Sequence, residues 1–229
     1  MPFLYFDPTW IILIPAIILA LYAQAKINST YNRYSKIPAR TGLPASEMAR
    51  RMLDMNGLRH VSVEQVAGNL TDHYDPSKKV LRLSQSIYNS SSVAALGVAA
   101  HECGHALQDA EGYAPLRIRG ALVPVANLGS SASWILILLG IFFSATNLIT
   151  IGILLFGAVV LFQLVTLPVE FNASRRALAT LEGASFLTEQ EVPMARKVLN
   201  AAALTYVAAA LTAILQLLRL ILLFGRRER

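Results

Sequence analysis

No charged residue occurs between Gly120 and Val169, and two apolar runs fill most of that interval. The runs cover residues 121–143 and 148–167, and the short sequence Ser144-Ala145-Thr146-Asn147 separates them. Each run is about 20 residues long or more, which suffices to cross the roughly 30 Å hydrocarbon core of a bilayer. The interval therefore predicts a transmembrane helical hairpin.

Two further apolar runs, at residues 3–25 and 204–224, bring the predicted transmembrane helices to four. Hydrophobic residues make up 55% of the chain and the mean hydropathy is +0.49, which is too apolar for an ordinary soluble domain. The net charge of +6 comes without a basic stripe interleaved with aromatics, so basic membrane flanks explain it better than nucleic-acid binding. We expect a single integral-membrane domain of mainly α fold over residues 1–229, with polar catalytic parts at 26–120 and 170–200.

The first polar part carries the sequence His101-Glu102-Cys103-Gly104-His105, an instance of H-E-x-x-H. The surrounding segment, Ser91 to Ala110, predicts a buried helix with a serine cap at its start. Residues four apart lie on the same face of a helix, so His101 and His105 can bind one metal ion. Glu102 lies beside that face, where a carboxylate can act as general base on a water. The pattern is typical of zincin-like metallopeptidases; the alternative is a core helix with two incidental histidines.

A catalytic zinc site needs a third protein ligand, and we expect one Zn²⁺ per chain. The candidate carboxylates outside the motif are Asp109, Glu111, Glu170 and Glu182. Glu170 is favoured because its predicted helix carries further polar groups on one face. One turn further on, Ser174 can support a ligand through a hydrogen bond. Arg175 or Arg176 can pair with a nearby carboxylate, or can simply mark the membrane boundary.

The sequence Val80-Leu81-Arg82-Leu83-Ser84 predicts a strand. Metallopeptidases of this kind pair an edge strand beside the metal with the peptide. We therefore hypothesise that Val80, Leu81, Arg82 and Leu83 bind the substrate through main-chain hydrogen bonds. In the preceding sequence LTDHYDP, His73 or Tyr74 can donate a hydrogen bond to an oxyanion. The alternative, which we favour, is a polar turn built by Asp72, His73 and Asp75.

The charge distribution predicts an orientation in the membrane. If all four runs span, the two polar parts face one side and the turn at residues 144–147 faces the other. Residues 26–120 hold twelve Lys and Arg and residues 171–200 hold four, so the positive-inside rule places the metal site in the cytoplasm. The tail residues Arg226, Arg227 and Arg229 would then lie outside, against the rule. Either the sixteen charges outweigh these three, or the last helix does not fully cross.

Several of these segments together resemble the bacterial YugP-like membrane zinc metallopeptidases. The resemblance rests on HECGHALQ preceded by SVAALGVAA, on LTDHYDP, on VLRLS and on LPVEFNASRRAL, and it covers most of the chain. It implies a zinc-dependent peptidase of the bacterial inner membrane. The chain is more loosely similar to the HtpX-type and prenyl-protein (CAAX) membrane proteases, in which Glu, Ala at i+3 and Asp at i+4 supply the third ligand and its support. Glu170 and Ala173 match, whereas Ser174 stands where Asp is usual.

We expect a membrane zinc metalloendopeptidase in which Glu102 acts as general base, with membrane or membrane-proximal proteins as substrates. The alternative is a catalytically inactive membrane adaptor whose structural zinc has a fourth protein ligand, such as His73 or Cys103; an intact Glu102 argues against it. A channel or transporter lacks support, because the predicted spans contain no ionisable residue except Arg219 near an end. The apolar excess leaves room for a homo-oligomer or a regulatory membrane partner.

Overall fold

The structure, a computed structural model, describes residues 8–225. The predicted start of the first span near Phe3 and the basic tail at residues 226–229 lie outside the described residues. A 3-10 turn at Pro8–Leu13 leads into the first helix. The elements that follow are α1 (Ile14–Tyr34), α2 (Ala45–Met55), β1 (Ser62–Val66), β2 (His73–Asp75), β3 (Val80–Ser84), α3 (Gln85–Tyr88), α4 (Val93–Ala110), α5 (Ala114–Phe142), α6 (Thr146–Gly183) and α7 (Val192–Phe224).

The predicted fold class is confirmed, since the chain is mainly helical with one small sheet and has four segments long and apolar enough to cross a membrane. These are Pro8–Tyr34, Ala114–Phe142, Thr146–Gly183 and Val192–Phe224. Each is longer than the apolar run that predicted it. In particular, α6 continues through Pro168, where a separate helix was expected to follow the span. Neighbouring contacts can compensate for the hydrogen bond that a proline removes in such a helix.

Backbone contacts divide the chain into two compact units. That residues 1–229 form a single domain stays a prediction. One unit contains residues 24–117 and 168–204, and all of the candidate site lies within it. Its core is built from α2, α4, the sheet and the second part of α6, with fully buried side chains that include Met48, Met52, Leu53, Leu81, Leu83, Leu96 and Leu181. Helix α2 is amphipathic: Met48, Met52 and Leu53 are buried in this core, whereas Met55 at its end is exposed.

The three-stranded sheet has the order β1-β3-β2. Strand β3 is parallel to β1, with Ser62 opposite Val80, and antiparallel to β2, with Tyr74 opposite Leu81. The predicted strand at Val80–Ser84 is therefore correct, but the prediction that it is an edge strand is wrong. Both of its edges are already paired, so Val80, Leu81, Arg82 and Leu83 cannot accept a substrate strand. The edge strand on the side of α4 is β2.

Helix α4 begins and ends as its sequence predicts. The Ser92 hydroxyl caps the first turn by accepting a hydrogen bond from the Ala95 amide at 3.2 Å. Gly112 has a φ of +65°, a left-handed conformation that favours glycine and lets the chain leave the helix. The helix between them is almost entirely buried, so its polar side chains need partners inside the protein.

The second unit contains residues 8–23, 118–167 and 205–225. Its α5 and α6 segments pack closely at Gly152, where an added Cβ would lie 2.8 Å from the Ser133 carbonyl oxygen. Small residues permit such backbone approach between apolar helices. The guanidinium of Arg219 lies 4.0 Å from the centre of the Trp10 ring and donates a hydrogen bond to the Thr9 hydroxyl.

Candidate metal centre

Three side chains from two helices converge on one point. His101 and His105 lie one turn apart on α4, and Glu170 projects from α6. One ligand atom from each residue lies within 4.8 Å of the other two. The Nε2 atoms of His101 and His105 lie 3.1 Å and 3.7 Å from the same carboxylate oxygen, Oε2 of Glu170. Of the four carboxylates weighed from the sequence, Glu170 is the one that meets the two histidines.

The other ring nitrogen of each histidine has its own partner. Nδ1 of His101 lies 3.1 Å from the Ser174 hydroxyl, and Nδ1 of His105 lies 3.0 Å from Oε1 of Gln108. When Nδ1 donates in this way, Nε2 is the unprotonated nitrogen and directs its lone pair at Glu170. Two lone pairs and a carboxylate then face one another in a largely buried space, an arrangement that favours a cation or a proton between them.

The separations fit a zinc ion. A tetrahedral Zn²⁺ with bonds of about 2.0–2.1 Å separates its ligand atoms by about 3.3 Å. The two histidine–glutamate separations of 3.1 Å and 3.7 Å lie on either side of that value, and all three ligand atoms lie within 4.8 Å of one another. Nitrogen and carboxylate donors are also the ligands that zinc binds in catalytic sites with three protein ligands. His101, His105 and Glu170 would hold the ion, which leaves a fourth position for water or substrate.

Protonation can replace the metal as the source of positive charge. Burial alone would lower the pKa of His105, but the hydrogen bond with Glu170 and the negative charge of Glu102 outweigh it, and the pKa is raised. Protons and metal ions therefore compete for this nitrogen.

A close contact between two helices brings the donors together. An added Cβ on Gly104 would lie 2.5 Å from the carbonyl oxygen of Ala173, so only glycine fits at this position without a shift of the backbone. Gly104 lies between the two histidines in sequence, and Ala173 lies one turn after Glu170. The glycine of the motif thus sets the distance at which α4 faces the glutamate.

Glu102 lies next to the three donors, with its carboxylate directed at the sheet. Its Oε2 accepts a hydrogen bond from the backbone amide of Tyr74 at 3.0 Å. The side chain is buried, and this contact fixes it beside the edge strand β2. The hydroxyl of Tyr74 donates a hydrogen bond at 2.7 Å to Asp109, which lies further along α4. Burial and this hydrogen bond to a carboxylate raise the pKa of Tyr74, which keeps the phenol protonated.

Gln108 is a site residue that the sequence reasoning did not single out. It is fully buried, and its Nε2 donates hydrogen bonds to the Val169 carbonyl at 2.8 Å and to the Asn172 side chain at 3.0 Å. It thereby connects His105 on α4 to the segment of α6 that carries Glu170. Its position one turn after the second histidine of a buried apolar helix was the available signal.

An ion pair continues this connection at the surface. Arg176 donates one hydrogen bond to Asn172 and two to the carboxylate of Glu111, at 2.6 Å and 2.7 Å. The bidentate pair joins the end of α4 to α6. The hydrogen bonds from Arg176 lower the pKa of Glu111. Of the two arginines considered from the sequence, Arg176 makes the pairing, while Arg175 is exposed.

The remaining sequence candidates lie away from the three donors. The His73 ring lies on β2, with its nitrogens near the Thr71 carbonyl and Arg82. The buried Cys103 sulfur lies 3.7 Å from the Ala49 carbonyl oxygen, and burial raises the pKa of its thiol. Within residues 8–225, the cluster of possible metal ligands contains His101, His105 and Glu170, and neither proposed fourth ligand belongs to it.

A buried H-E-x-x-H helix facing a glutamate from a second helix, in a chain with four membrane-capable segments, defines the class of membrane zinc metallopeptidases. Comparison with known proteins agrees: the chain belongs to the family described as "Putative neutral zinc metallopeptidase", whose model matches residues 9–225. Its sequence is 49% identical to the "Putative membrane protease YugP" of Bacillus subtilis (strain 168) over 217 residues, which cover 94% of this chain and 96% of that relative. No solved structure matches the chain. The family resemblance inferred from the sequence is thus confirmed.

Proposed function

We propose that the chain is a zinc endopeptidase of the bacterial inner membrane that cleaves membrane or membrane-proximal proteins. The observation that supports this most directly is the convergence of His101, His105 and Glu170 beside a buried Glu102. The alternative of a structural zinc is weakened because both candidate fourth ligands, His73 and Cys103, have other partners. A structural site also has no use for a buried carboxylate that is not a ligand.

Glu102 is assigned the proton transfers of peptide hydrolysis. A zinc ion held by the three donors would supply a Lewis acid and lower the pKa of a coordinated water toward about 7. Glu102 accepts a proton from the attacking water and delivers it to the departing amine. The Tyr74 amide orients the carboxylate for both transfers, since it already binds one oxygen and leaves the other available.

The substrate is assigned to the edge of β2. In an antiparallel ladder, the N–H and C=O of one residue point to the same side. The Tyr74 amide donates to Glu102 and not to β3, so its carbonyl faces outward on the same edge. An extended peptide that pairs there would run past Glu102 and the three metal ligands. Recognition through the main chain suits a peptidase with little side-chain specificity.

The orientation follows from charge. The polar parts of the chain carry sixteen Lys and Arg, which by the positive-inside rule belong in the cytoplasm. The relative is a membrane protease by its name, and the four apolar helices suit the same setting. We therefore assign the metal centre to the cytoplasmic side.

The test compares zinc content and proteolysis in purified full-length protein in detergent micelles. Glu102→Gln is expected to keep stoichiometric zinc and to lose at least about 100-fold in the cleavage rate of an unfolded protein such as casein, because a general base contributes roughly that much or more. Glu170→Ala is expected to lose both zinc and activity. New amino termini identified by mass spectrometry distinguish this cleavage from contaminating proteases.

Two matched variants serve as controls. Glu189→Gln and Glu182→Ala change exposed glutamates outside the site and should leave both zinc content and cleavage as in the wild type. Unchanged proteolysis in Glu102→Gln would refute the base assignment. Bound zinc with four protein ligands, and no cleavage of soluble or membrane substrates, would favour the adaptor.

A further inference from the structure

A polar cavity lies between α1 and α7, and none of its lining residues belongs to the three metal-ligand candidates. Its volume is about 540 Å³, which is within the range of small-molecule sites. Its lining includes three cationic side chains, Lys26, Arg33 and Lys197, and the neutral polar side chains of Ser29, Thr30 and Asn200. All of these residues belong to the unit that contains residues 24–117 and 168–204. We call this space the cationic cavity.

Helical periodicity explains why these residues meet. On α1, Lys26 is followed by lining residues at three, four and seven positions further on, the last being Arg33. On α7, the same spacing leads from Lys197 through Asn200 and Ala201 to Leu204. Residues at these intervals share one helix face, so each helix contributes one face to the cavity. The face of α1 is polar, whereas that of α7 is polar at Lys197 and Asn200 and apolar at Ala201 and Leu204.

No carboxylate compensates the charge of the cavity, although the Arg33 guanidinium lies 5.6 Å from the centre of the Tyr34 ring. No acidic residue lines it, and neither α1 nor α7 contains an Asp or Glu. Within the described part of the chain, Lys26, Arg33 and Lys197 form no ion pair, whereas Arg50, Arg82 and Arg176 each pair with a carboxylate. Lys26, Arg33 and Lys197 are exposed, so water screens their mutual repulsion in part, and an anion bound among them would reduce it further. The cavity thus has the electrostatic character of an anion site.

The position along the chain indicates the source of the anion. Lys26 directly follows an apolar stretch of the segment Pro8–Tyr34, and on α7 Lys197 lies shortly before the apolar run at residues 204–224. Cationic residues next to the apolar part of a membrane helix lie at the level of the lipid headgroups. Leu204 lines the cavity as well and gives it an apolar wall on the side of that stretch.

We propose that the cationic cavity binds the phosphate group of an anionic phospholipid headgroup. Lys26, Arg33 and Lys197 neutralise the phosphate, and the hydroxyl and amide side chains donate hydrogen bonds to its oxygens or to a glycerol headgroup. A free phosphate or a soluble phosphate ester would offer the same chemistry without the acyl chains, and the experiment separates the two sources.

The test measures lipid binding to the delipidated full-length protein in micelles by native mass spectrometry. Phosphatidylglycerol is titrated against phosphatidylcholine, and glycerol 3-phosphate serves as the soluble anion. A triple variant carries Lys26→Gln, Arg33→Gln and Lys197→Gln. The control triple variant carries Lys36→Gln, Arg59→Gln and Arg196→Gln, which removes the same charge from exposed positions outside the cavity.

We expect the cavity variant to lose roughly tenfold or more in affinity for phosphatidylglycerol, and the control to stay within about twofold of the wild type. Equal binding by the two triple variants would overturn the proposal. Displacement of phosphatidylglycerol by millimolar glycerol 3-phosphate would also overturn it, because the ligand would then be a soluble phosphate ester and not a lipid. Zinc content equal to that of the wild type shows that a variant is folded. If the triple cavity variant does not fold, the single variants Lys26→Gln and Lys197→Gln are tested in its place. Each is expected to lose several-fold in affinity for phosphatidylglycerol.

Discussion

The imidazole of His105 is held in one orientation by the amide of Gln108. Because Nε2 of the glutamine donates to two oxygens on α6, its Oε1 must face the histidine. An amide oxygen only accepts, so Nδ1 of His105 carries the proton and Nε2 keeps its lone pair. The glutamine thus selects the tautomer that can bind a metal. Ser174 contacts the corresponding nitrogen of His101. Because a hydroxyl can donate or accept a hydrogen bond, Ser174 does not select one tautomer of His101 as strictly.

Replacement of this glutamine should weaken zinc binding. Gln108→Leu keeps the side-chain volume but removes the partner of His105, and loss of such support typically costs about 10–100-fold in metal affinity. Competition with a chelator of known affinity measures the effect. Gln65→Leu changes an exposed glutamine on β1 and should leave the affinity unchanged. Equal zinc affinity in Gln108→Leu and the wild type would show that His105 needs no support.

The three candidate metal ligands could be predicted from the sequence, whereas the residues that orient them could not all be predicted. The spacing of His101 and His105 fixes their common helix face, and the polar face around Glu170 singled out that carboxylate. The contacts of Gln108 depend on a carbonyl 61 residues away, which no local pattern encodes. His73 was considered for its chemistry, but a side chain on a three-residue strand is placed by the strand's register, which sequence alone leaves open.

At the scale of elements, the site depends on how closely α4 approaches α6. Gly104 is the contact that sets this approach. The β elements were harder to predict than the helices. Strand β3 has the apolar character of a strand buried on both sides, and its parallel partner β1 is distant in sequence, so the sequence identified the strand but not its neighbours.

A methyl group at Gly104 should disrupt the site. Its Cβ would meet backbone 2.5 Å away, so the helices must separate, at a cost of about 1–3 kcal/mol in the free energy of unfolding. We expect Gly104→Ala to lose zinc and to unfold at lower temperature. Gly97→Ala on the same helix is the control, because its Cβ meets its nearest neighbour at an ordinary 3.5 Å and gains about 1 kcal/mol in helix propensity. Equal effects of the two variants would contradict this account.

The start of α7 depends on the charge of Glu191. Its carboxylate accepts hydrogen bonds from the amides of Arg40 at 2.7 Å and Thr188 at 2.8 Å. Burial alone would raise the pKa of Glu191, but these hydrogen bonds outweigh it, and the pKa is lowered. A lowered pKa in the folded state means that the ionised carboxylate stabilises the fold above the unfolded pKa of about 4.3. That stabilisation is lost as the pH falls through the lower folded value.

The stability difference between the wild type and Glu191→Gln should therefore depend on pH. We expect about 1 kcal/mol in favour of the wild type at pH 7, which diminishes as the medium is acidified below about pH 4.3. Thermal unfolding in micelles over this pH range measures it. Glu189→Gln, two residues earlier and exposed, should show no such trend. A stability difference that grows on acidification would show that the pKa of Glu191 is not lowered in the folded state.

At the scale of the whole molecule, four apolar helices indicate a membrane protein, and the distribution of charge predicts its orientation. Both were available from the sequence, because hydropathy and the positive-inside rule depend on composition and not on packing. The lengths of the helices could not be predicted in this way, because α6 and α7 continue well beyond their apolar runs. The extensions pack against α4 at Gly104 and Gly97, and a hydropathy pattern does not encode such contacts.

Thiol labelling tests the orientation. Cys103 is the one cysteine of the chain and is buried, so it is expected to stay unreactive. With a membrane-impermeant maleimide and intact cells, Asn147→Cys should be labelled from outside. Lys78→Cys, in the polar part that carries the metal centre, should react only after lysis. The reverse pattern would place the metal centre on the outer side.

The contact between Arg219 and Trp10 has a consequence for the order of assembly. The guanidinium lies over an aromatic ring and donates to Thr9, which is 210 residues distant along the chain. At roughly 5–20 residues per second, a ribosome needs about 10–40 s to make the intervening chain. The first apolar helix therefore enters the bilayer long before its partner on the last helix exists. During that interval it must be stabilised by lipid or by the insertion machinery, and its native pairing is among the last to form.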